Sequence, residues 1–459
     1  MIQCMQNHSP SNADLRARSL AAVWHPCSQM KHYEYLPLLP IASGNGVWLQ
    51  DFENKRYLDA ISSWWVNLFG HCNPRIGSAI NDQLGKLEHV LLAGFTHEPV
   101  VELSERLCEI APKGLGHCFF ASDGASATEI ALKMSAHYWI NRGETEKTQF
   151  ISLENSYHGE TLGALSVTDV ALFRAAYGAL IRQQATVPTP DWRKALAGES
   201  SEEYALRCAD HLERHLQQHH ARLAAFIIEP LVQGAAGMAM YHPTYLQRAR
   251  QLCTEHDVHL IADEIAVGMG RTGTMFACEQ GTTRPRQDSS QDGQGIVPDF
   301  LCLSKGITGG YLPLSVVMTQ KEIYQAFYHD EVSSGFLHSH SYTGNPLACR
   351  AALATLDIFA RDGVLAANRD KAVYLNQVAR PLREHPAVLN WRNTGMIWAF
   401  EVETSRRNFA QQCYSLALEN ELLLRPIGNT IYFMPPYIIA QEEIDLLVDR
   451  TLRIVNQLS

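Results

Sequence analysis

Short apolar runs recur along the chain, separated by longer segments in which apolar residues have helical spacing. The runs are continuous rather than alternating, which is typical of strands buried on both faces of a sheet. Helical segments such as 127–139 and 243–256 lie between them, so the pattern predicts an α/β fold with a mostly parallel sheet covered by helices. The predicted strands span residues 117–121, 149–153, 223–228, 258–262, 300–303 and 314–318.

The pattern changes near residue 346, where a long helix predicted at 347–360 is followed by a mixed segment with its own strands. We therefore expect two domains. A large domain would span residues 62–345, and a smaller α+β domain would be built from both chain ends, residues 1–61 and 346–459.

Composition and charge narrow the class of partner. The formal net charge of −10 argues against a nucleic-acid partner or an anionic membrane surface, both of which need a basic face. No apolar run approaches the length of a membrane span, and the eleven cysteines show no C-x-x-C spacing. We expect a cytoplasmic protein with small-molecule substrates. Segment 281–295 (GTTRPRQDSSQDGQG) lacks periodicity and predicts a solvated or partly disordered loop.

A row of histidines at helical spacing is a candidate metal site. His211, His215 and His219 fall on one helix face, but their neighbours are charged or amide side chains. The pattern therefore favours a solvated helix, and we expect no metal.

Two residues that carry chemistry follow predicted strands. Asp263 ends the run 258–262, and Lys305 follows the run 300–303. A desolvated lysine can lose its proton and attack an aldehyde, and an aspartate is the usual partner of the pyridine nitrogen of pyridoxal phosphate. Ile265 lies two residues after Asp263 and would contact the ring face. Together these residues indicate a pyridoxal phosphate enzyme.

Further candidates lie at the ends of other strands. Gly124 and Ala125 begin a helix whose amide groups could bind a phosphate, and Asp123 could be either part of that site or a helix cap. Tyr157 could stack on the cofactor ring, or it could be a boundary tyrosine with its hydroxyl group in water. Glu229 could contact the cofactor, and a helix-capping role is equally open.

A substrate pocket is suggested by two aromatic residues and one arginine. Trp64 and Trp65 could form the wall of an apolar channel, although core packing is the usual role of tryptophan. Arg425 lies between an apolar run and a Pro/Gly turn, where its guanidinium could bind a substrate carboxylate or simply face solvent.

With these motifs assembled, the chain resembles the class III (ω-) aminotransferases, which are fold-type I pyridoxal phosphate enzymes. The resemblance runs from Trp24-His25-Pro26 to Met434-Pro435-Pro436-Tyr437. The class motifs are Ala262-Asp263-Glu264-Ile265, Gly270-Arg271-Thr272-Gly273 and Ser304-Lys305-Gly306. Ser62-Ser63-Trp64-Trp65, Tyr157-His158-Gly159 and Gly344-Asn345-Pro346 resemble the branch that aminates 8-amino-7-oxononanoate in biotin biosynthesis.

The resemblance implies roles for particular residues. Lys305 would bind the cofactor covalently, Asp263 would hold the ring nitrogen, and Tyr157 would stack on the ring. The backbone amides of Gly124 and Ala125 would hold the phosphate, with Asp123 beside them. His340 and Ser341 would reach the same phosphate from the partner subunit of a homodimer with shared active sites. The implied substrate contacts are Trp64, Trp65, Tyr157, Lys305, Ser339 and Arg425, the last binding the distal carboxylate of the keto acid.

The expected amino donor is S-adenosylmethionine, with lysine as the alternative. Another ω-amino acid aminotransferase of the same class also stays open. Cys27 replaces a tyrosine that often follows the Trp-His-Pro motif, and Ser339-His340-Ser341 replaces a Gly-Pro-Thr run, so donor recognition is left undecided.

Two functions from other classes fit less well. A pyridoxal phosphate-binding regulator would need a DNA-binding segment, and no basic helix-turn-helix pattern is visible. A nicotinamide oxidoreductase would need a G-x-G-x-x-G run early in the sheet, which is also absent from the sequence.

Overall fold

A seven-stranded sheet forms the centre of the computed structural model, which describes residues 10–281 and 295–459. Along these residues the strands are β1 (Ile41–Asn45), β2 (Trp48–Asp51), β3 (Arg56–Asp59), β4 (Leu115–Ala121), β5 (Gln149–Leu153), β6 (Ala185–Val187), β7 (Leu223–Ile228), β8 (Val232–Gln233), β9 (Ala239–Met240), β10 (His259–Asp263), β11 (Phe300–Leu303), β12 (Ser315–Gln320), β13 (Val388–Thr394), β14 (Ile397–Val402), β15 (Leu422–Leu423) and β16 (Thr430–Phe433).

Helices cover the sheet and build much of the remaining structure. The α-helices of the described chain are α1 (Asn12–Ala22), α2 (Ser62–Trp65), α3 (Pro74–Leu84), α4 (Glu98–Ile110), α5 (Gly124–Asn141), α6 (Leu162–Val167), α7 (Ala171–Arg174), α8 (Ser201–His219), α9 (Thr244–Glu255), α10 (Lys321–Gln325), α11 (Pro346–Arg361), α12 (Val364–Val378), α13 (Arg380–Arg383), α14 (Phe409–Glu419) and α15 (Gln441–Leu458). None of these helices is long and apolar enough to cross a membrane.

The central sheet has the order β4-β12-β11-β10-β7-β5-β6. Only β12 runs against its neighbours, β11 and β4, and the other pairings are parallel. The residues of β7 and β10 are all buried, as expected for strands covered by helices on both faces. The parallel strands therefore end at the same edge of the sheet, and the loops that follow them meet there.

The strand predictions are confirmed for this sheet. The six predicted runs correspond to β4, β5, β7, β10, β11 and β12, with ends shifted by no more than two residues. The edge strand β6 was missed because its three residues are too few to form a recognisable apolar run. The predicted 281–295 loop lies outside the described residues except at its two ends.

Two smaller sheets bring the chain ends together. β1, β2, β3 and β15 form one of them, and β15 pairs with β3 in parallel, with Leu422 beside Leu58. The other contains β13, β14 and β16. The expected smaller α+β region built from both ends is therefore confirmed, while its boundaries at residues 61 and 346 stay predictions.

A buried arginine ties this region to the large one. The Arg271 guanidinium is 1% exposed and donates to the carbonyl oxygens of Asn67 (3.1 Å) and Pro435 (2.6 Å). It also lies over the Tyr437 ring, with its central carbon 4.7 Å from the ring centroid. Because the carbonyls come from distant parts of the sequence, Arg271 fixes their segments beside each other at the edge of the central sheet.

Candidate active site

The strand register brings three ionisable side chains to one edge of the sheet. Ala262 in β10 pairs with Ile228 in β7, so Asp263, the last residue of β10, lies level with Glu229, the residue after β7. On the other side, Asp263 pairs with Cys302 in β11, and Lys305 follows that strand after Leu303 and Ser304. The predicted proximity of Asp263 and Lys305 is thus realised, with Glu229 beside them.

Lys305 lies at the start of a short 3₁₀ helix, with a φ angle of +43° that is uncommon for a residue with a side chain. Burial lowers the pKa of its amine, while the Asp263 and Glu229 carboxylates act in the opposite direction. The amine nitrogen lies 5.0 Å from the centroid of the Trp65 ring. This environment favours the neutral, nucleophilic form of the lysine.

Asp263 is held by a histidine to which the sequence gave no role. One carboxylate oxygen lies 2.6 Å from Nδ1 of His158, and the other accepts from the Ile265 amide at 3.1 Å. His158 is itself fixed by hydrogen bonds of its backbone to Thr128 and Thr168. A carboxylate has about four acceptor positions, so Asp263 retains capacity for a third donor such as a ring N–H.

Glu229 is a buried carboxylate that links two loops. Its oxygens accept from the Tyr157 amide and the Gly234 amide, both at 3.0 Å. Burial raises the pKa of Glu229 to about 7, and the nearby Asp263 charge adds to this effect. Its role here is to fix the loop that carries Tyr157, rather than to cap a helix.

The first turn of α5 forms a cradle of backbone amides at this edge. Asp123 is the N-cap residue: its carboxylate accepts from the Ser126 amide at 2.9 Å. The first amides of a helix have no acceptor within it, so those of Gly124 and Ala125 are available to an anion. A Cβ atom on Gly124 would come within 2.9 Å of Ile265, which fixes Ile265 against this turn.

The loop after β5 packs directly on the same helix end. Gly159 has a φ angle of +123°, and a Cβ atom there would lie 2.6 Å from that of Ala125. This close approach places Tyr157 beside the cradle. The Tyr157 ring lies 5.2 Å from that of Phe173, and its hydroxyl group donates to Glu160 at 2.9 Å. Burial and the Glu160 charge raise the pKa of Tyr157, so its hydroxyl group stays protonated.

The two tryptophans occupy different positions at the entrance. Trp65 is buried and its indole N–H donates to the Tyr432 hydroxyl group at 3.2 Å, whereas Trp64 is 42% exposed. The Arg425 guanidinium carbon lies 4.4 Å from the centroid of the Trp64 ring. One of its nitrogens lies 3.5 Å from the backbone oxygen of Cys27, which is exposed.

Arg425 is otherwise uncommitted. Within residues 10–281 and 295–459 it forms no ion pair with a carboxylate. Its charge is therefore available to an anionic ligand that enters along the tryptophan wall.

The loop around residue 340 lies beside helix α5 of its own chain, and the expected contribution of His340 and Ser341 to a partner subunit stays a prediction. Nε2 of His340 lies 3.5 Å from Oγ of Ser122 in the same chain, so His340 borders the α5 cradle of its own subunit. Ser339 and Ser341 are exposed, and neither side chain makes a hydrogen bond within the described chain. The contacts described above link Lys305 with Asp263, Glu229 and Trp65, and Trp64 with Arg425, whereas the roles of Ser339, His340 and Ser341 stay predictions.

The three histidines of the row lie on α8. The rings of His215 and His219 lie 4.6 Å apart, but the described residues contain no group of three or more potential ligands. The site at the sheet edge is instead suited to an aromatic anion. It offers amide donors for a phosphate, a retained acceptor on Asp263 for a ring nitrogen, and a desolvated amine for an aldehyde, which fits pyridoxal phosphate.

Two features of this site could not be found from the sequence. His158 lies in the motif Tyr157-His158-Gly159, but no local signal shows that it pairs with a carboxylate 105 positions away. Glu160 follows the same motif, and only the folded loop reveals its contact with the Tyr157 hydroxyl group.

Comparison with known proteins agrees with this geometry. The family model described as aminotransferase class-III matches residues 29–455. The adenosylmethionine-8-amino-7-oxononanoate aminotransferase of Helicobacter pylori is 45% identical, over 97% of this chain and 98% of its own. The crystal structure of the enzyme of that name from Methanocaldococcus jannaschii has a TM-score of 0.88 at 35% identity, over 97% of this chain and 99% of its own. An omega transaminase from Pseudomonas jessenii, solved in complex with PMP, has a TM-score of 0.89 at 28% identity, over 96% of this chain and 98% of its own.

The raised pKa of Glu229 predicts a pH-dependent stability. Its ordinary pKa is 4.5 and its folded value is about 7, so between these pH values the folded protein keeps a proton that the unfolded chain releases. Stability that is present below pH 4.5 is thus lost as the pH rises to 7. Glu229→Gln removes this loss, and we expect the unfolding free energy of the variant to gain about 3 kcal/mol on wild type across this range.

Urea titration of the cofactor-free proteins at several pH values measures this difference. Glu105→Gln, at an exposed position of α4, is the matched substitution. A difference between Glu229→Gln and wild type that stays constant with pH would contradict the assignment.

Proposed function

The chain belongs to the class III aminotransferase family, and from this we propose that it transfers an amino group onto 8-amino-7-oxononanoate with pyridoxal phosphate as its cofactor. The observation that carries the proposal is the desolvated Lys305 amine beside the Asp263 carboxylate, at a helix end with free amides. The acceptor is proposed from the relatives' names and from the pocket entrance. A long apolar keto acid that ends in a carboxylate suits a wall of Trp64 and Trp65 with Arg425 beside it.

Each residue has a defined task in this reaction. When bound, pyridoxal phosphate supplies the carbonyl group that accepts the amino group and a ring that stabilises negative charge. Asp263, held by His158, would accept the hydrogen bond of the ring nitrogen and keep it protonated. The first amides of α5 would hold the phosphate group, and the Tyr157 ring would stack on the cofactor ring.

Lys305 moves the proton. Its amine must be neutral to take a proton from the substrate carbon, and burial at the end of β11 supports this state. The Trp65 ring lies against the amine and reduces its contact with water, which keeps the lysine desolvated.

We propose S-adenosylmethionine as the amino donor, in line with the names of the relatives. In the absence of acceptor, we expect the wild-type protein to release one equivalent of deaminated S-adenosylmethionine per active site. With lysine as the donor, we expect it to release no deaminated product. Lys305→Ala should bind the cofactor in a folded protein but release no product with either donor. Single-turnover product analysis measures this. Release from lysine alone would contradict the donor, and full activity of Lys305→Ala would contradict the chemistry.

We further propose that Arg425 binds the distal carboxylate of the acceptor. Loss of a charged hydrogen-bond partner costs about 1.5–3 kcal/mol, so Arg425→Ala should raise the KM for the keto acid by about 10- to 100-fold. The donor half-reaction should change much less. Arg425→Lys keeps the charge but lacks the planar guanidinium, so its KM for the keto acid should fall between those of wild type and Arg425→Ala. Equal losses in both half-reactions would show that Arg425 does not bind the acceptor.

We propose that the protein is a homodimer whose interface borders the active site. Leu91, Phe95, Tyr328, Val332, Leu337 and Tyr342 are each more than half exposed. Their two segments adjoin, since the rings of His89 and Tyr342 lie 5.2 Å apart and the side-chain amide of Asn345 donates to the Glu88 carbonyl oxygen. A second copy would cover this apolar surface and could add His340 and Ser341 to its neighbour's site. Sedimentation equilibrium should give twice the chain mass of 51.4 kDa, and a monomer at micromolar concentration would contradict the proposal.

A cytoplasmic location is proposed on the cysteines. The described cysteines are all free, and Cys208, Cys253 and Cys302 are buried thiols. Free thiols are typical of a reducing compartment. Cell fractionation would test this, and recovery outside the cytoplasm would contradict it.

A further inference from the structure

Helix α2 is a left-handed turn made of residues with side chains. Ser62, Ser63, Trp64 and Trp65 have φ angles of 50°, 46°, 73° and 72°. The Trp65 amide donates to the Ile61 carbonyl oxygen and the Val66 amide to that of Ser62, so the turn is closed by hydrogen bonds. Consecutive L-residues rarely adopt this conformation, since each one brings Cβ close to a carbonyl oxygen. Such a turn persists only where its surroundings hold it, and residues so held cluster at functional sites.

The Asp59 carboxylate holds the turn by hydrogen bonds. Asp59 ends β3, is fully buried, and uses both carboxylate oxygens. One oxygen accepts from the Ser63 amide (2.9 Å) and the Ile61 amide (3.3 Å). The other accepts from the Ser63 hydroxyl group (2.7 Å) and lies 3.0 Å from Nε2 of His71. All the usual acceptor positions of the carboxylate are therefore occupied, three of them by the turn and its entry.

His71 connects Asp59 to the sheet of the smaller region. Its backbone bridges to Gly46 through two hydrogen bonds, so the imidazole is anchored beside the β1–β2 hairpin. The side-chain amide of Asn67 donates to Nδ1 at 3.1 Å. With Nδ1 as the acceptor, Nε2 is the ring nitrogen that donates to Asp59. His71 therefore links Asn67, just after the turn, to the Asp59 carboxylate, which binds the first residues of the turn.

The turn is also fixed by Met434 and by the segment that follows Lys305. The Ser62 hydroxyl group donates to the Met434 carbonyl oxygen at 2.8 Å. Gly310, five residues after Lys305, has a φ angle of +89°, and a Cβ atom there would lie 2.8 Å from the carbonyl oxygen of Val66. The position of Trp65 relative to Lys305 is therefore set by main-chain contact, provided that the turn keeps its left-handed form.

We propose that Asp59 and His71 are a positioning pair that sets the two tryptophans of the substrate wall. Neither side chain touches the reacting atoms. The pair acts through the turn, which directs Trp65 toward Lys305 and Trp64 toward Arg425. This inference rests on the proposed function, because it assigns the pair to recognition of the long acceptor.

A second buried carboxylate offers a matched control. Asp51, at the end of β2, is 3% exposed and accepts from the Tyr57 hydroxyl group and the amides of Glu53 and Lys55. It lies in the same small sheet and is equally well bonded, but it does not contact the tryptophan turn. Asp51→Asn therefore reproduces the structural cost of losing a buried carboxylate without affecting the wall.

The test compares Asp59→Asn with Asp51→Asn in the holoenzyme. In protein labelled with 5-fluorotryptophan, the ¹⁹F resonances of Trp64 and Trp65 are assigned by replacing each with phenylalanine. Asp59→Asn should shift or broaden both resonances and raise the acceptor KM about 10- to 100-fold, since misplaced binding groups cost this much. Asp51→Asn should lower the urea midpoint. It should leave the position and width of both resonances unchanged and the acceptor KM within twofold of wild type. If Asp59→Asn left them equally unchanged, the inference would be wrong.

A second pair of variants covers the case in which Asp59→Asn does not fold. His71→Leu removes the donor to Asp59, whereas His71→Gln keeps an N–H group there. His71→Leu should change both tryptophan resonances and the acceptor KM, and His71→Gln should restore most of both. Equal behaviour of the two variants would overturn the pair. Failure of the wild type to aminate 8-amino-7-oxononanoate would instead overturn the proposed function, with the ¹⁹F comparison still reporting on the turn.

Discussion

Removing the Lys305 amine from water is the constraint on which the rest of the site depends. A lysine in solvent is protonated at neutral pH and cannot attack a carbonyl group. Here the buried strand β11 delivers the side chain to the interior edge of the sheet, where desolvation lowers its pKa. The same burial would make the neighbouring carboxylates costly if they had no partners. Asp263 therefore has His158, and Glu229 has two backbone amides.

The longest run of left-handed residues in the described chain carries the tryptophan that lies against this amine. Ser62, Ser63, Trp64 and Trp65 form this run, and hydrogen bonds from Asp59 and to Met434 hold it. Arg271, which is buried without a carboxylate partner in the described chain, joins the segments around Asn67 and Pro435 through their carbonyl oxygens. The two regions of the molecule are thus locked where the tryptophan wall meets the lysine. Rigid walls of this kind fix a substrate better than a loop would.

The sequence predicted the features that depend on residues close to each other along the chain. Long buried runs identified the central strands, and since parallel strands end together, Asp263, Glu229 and Lys305 could be expected at one edge. The three-residue edge strand β6 carried too little signal. Features that depend on distant partners were not predictable: the pairing of His158 with Asp263, the left-handed turn held by Asp59, and the placement of His340 against Ser122 of its own chain.

The proposed function depends above all on a covalent bond between the cofactor and Lys305. Reduction of the holoenzyme with borohydride, followed by proteolysis and mass spectrometry, tests this most directly. We expect one phosphopyridoxyl group per chain, attached to the Nζ atom of Lys305. A reduced adduct on a different lysine, or no adduct in protein that carries a full complement of cofactor, would contradict it.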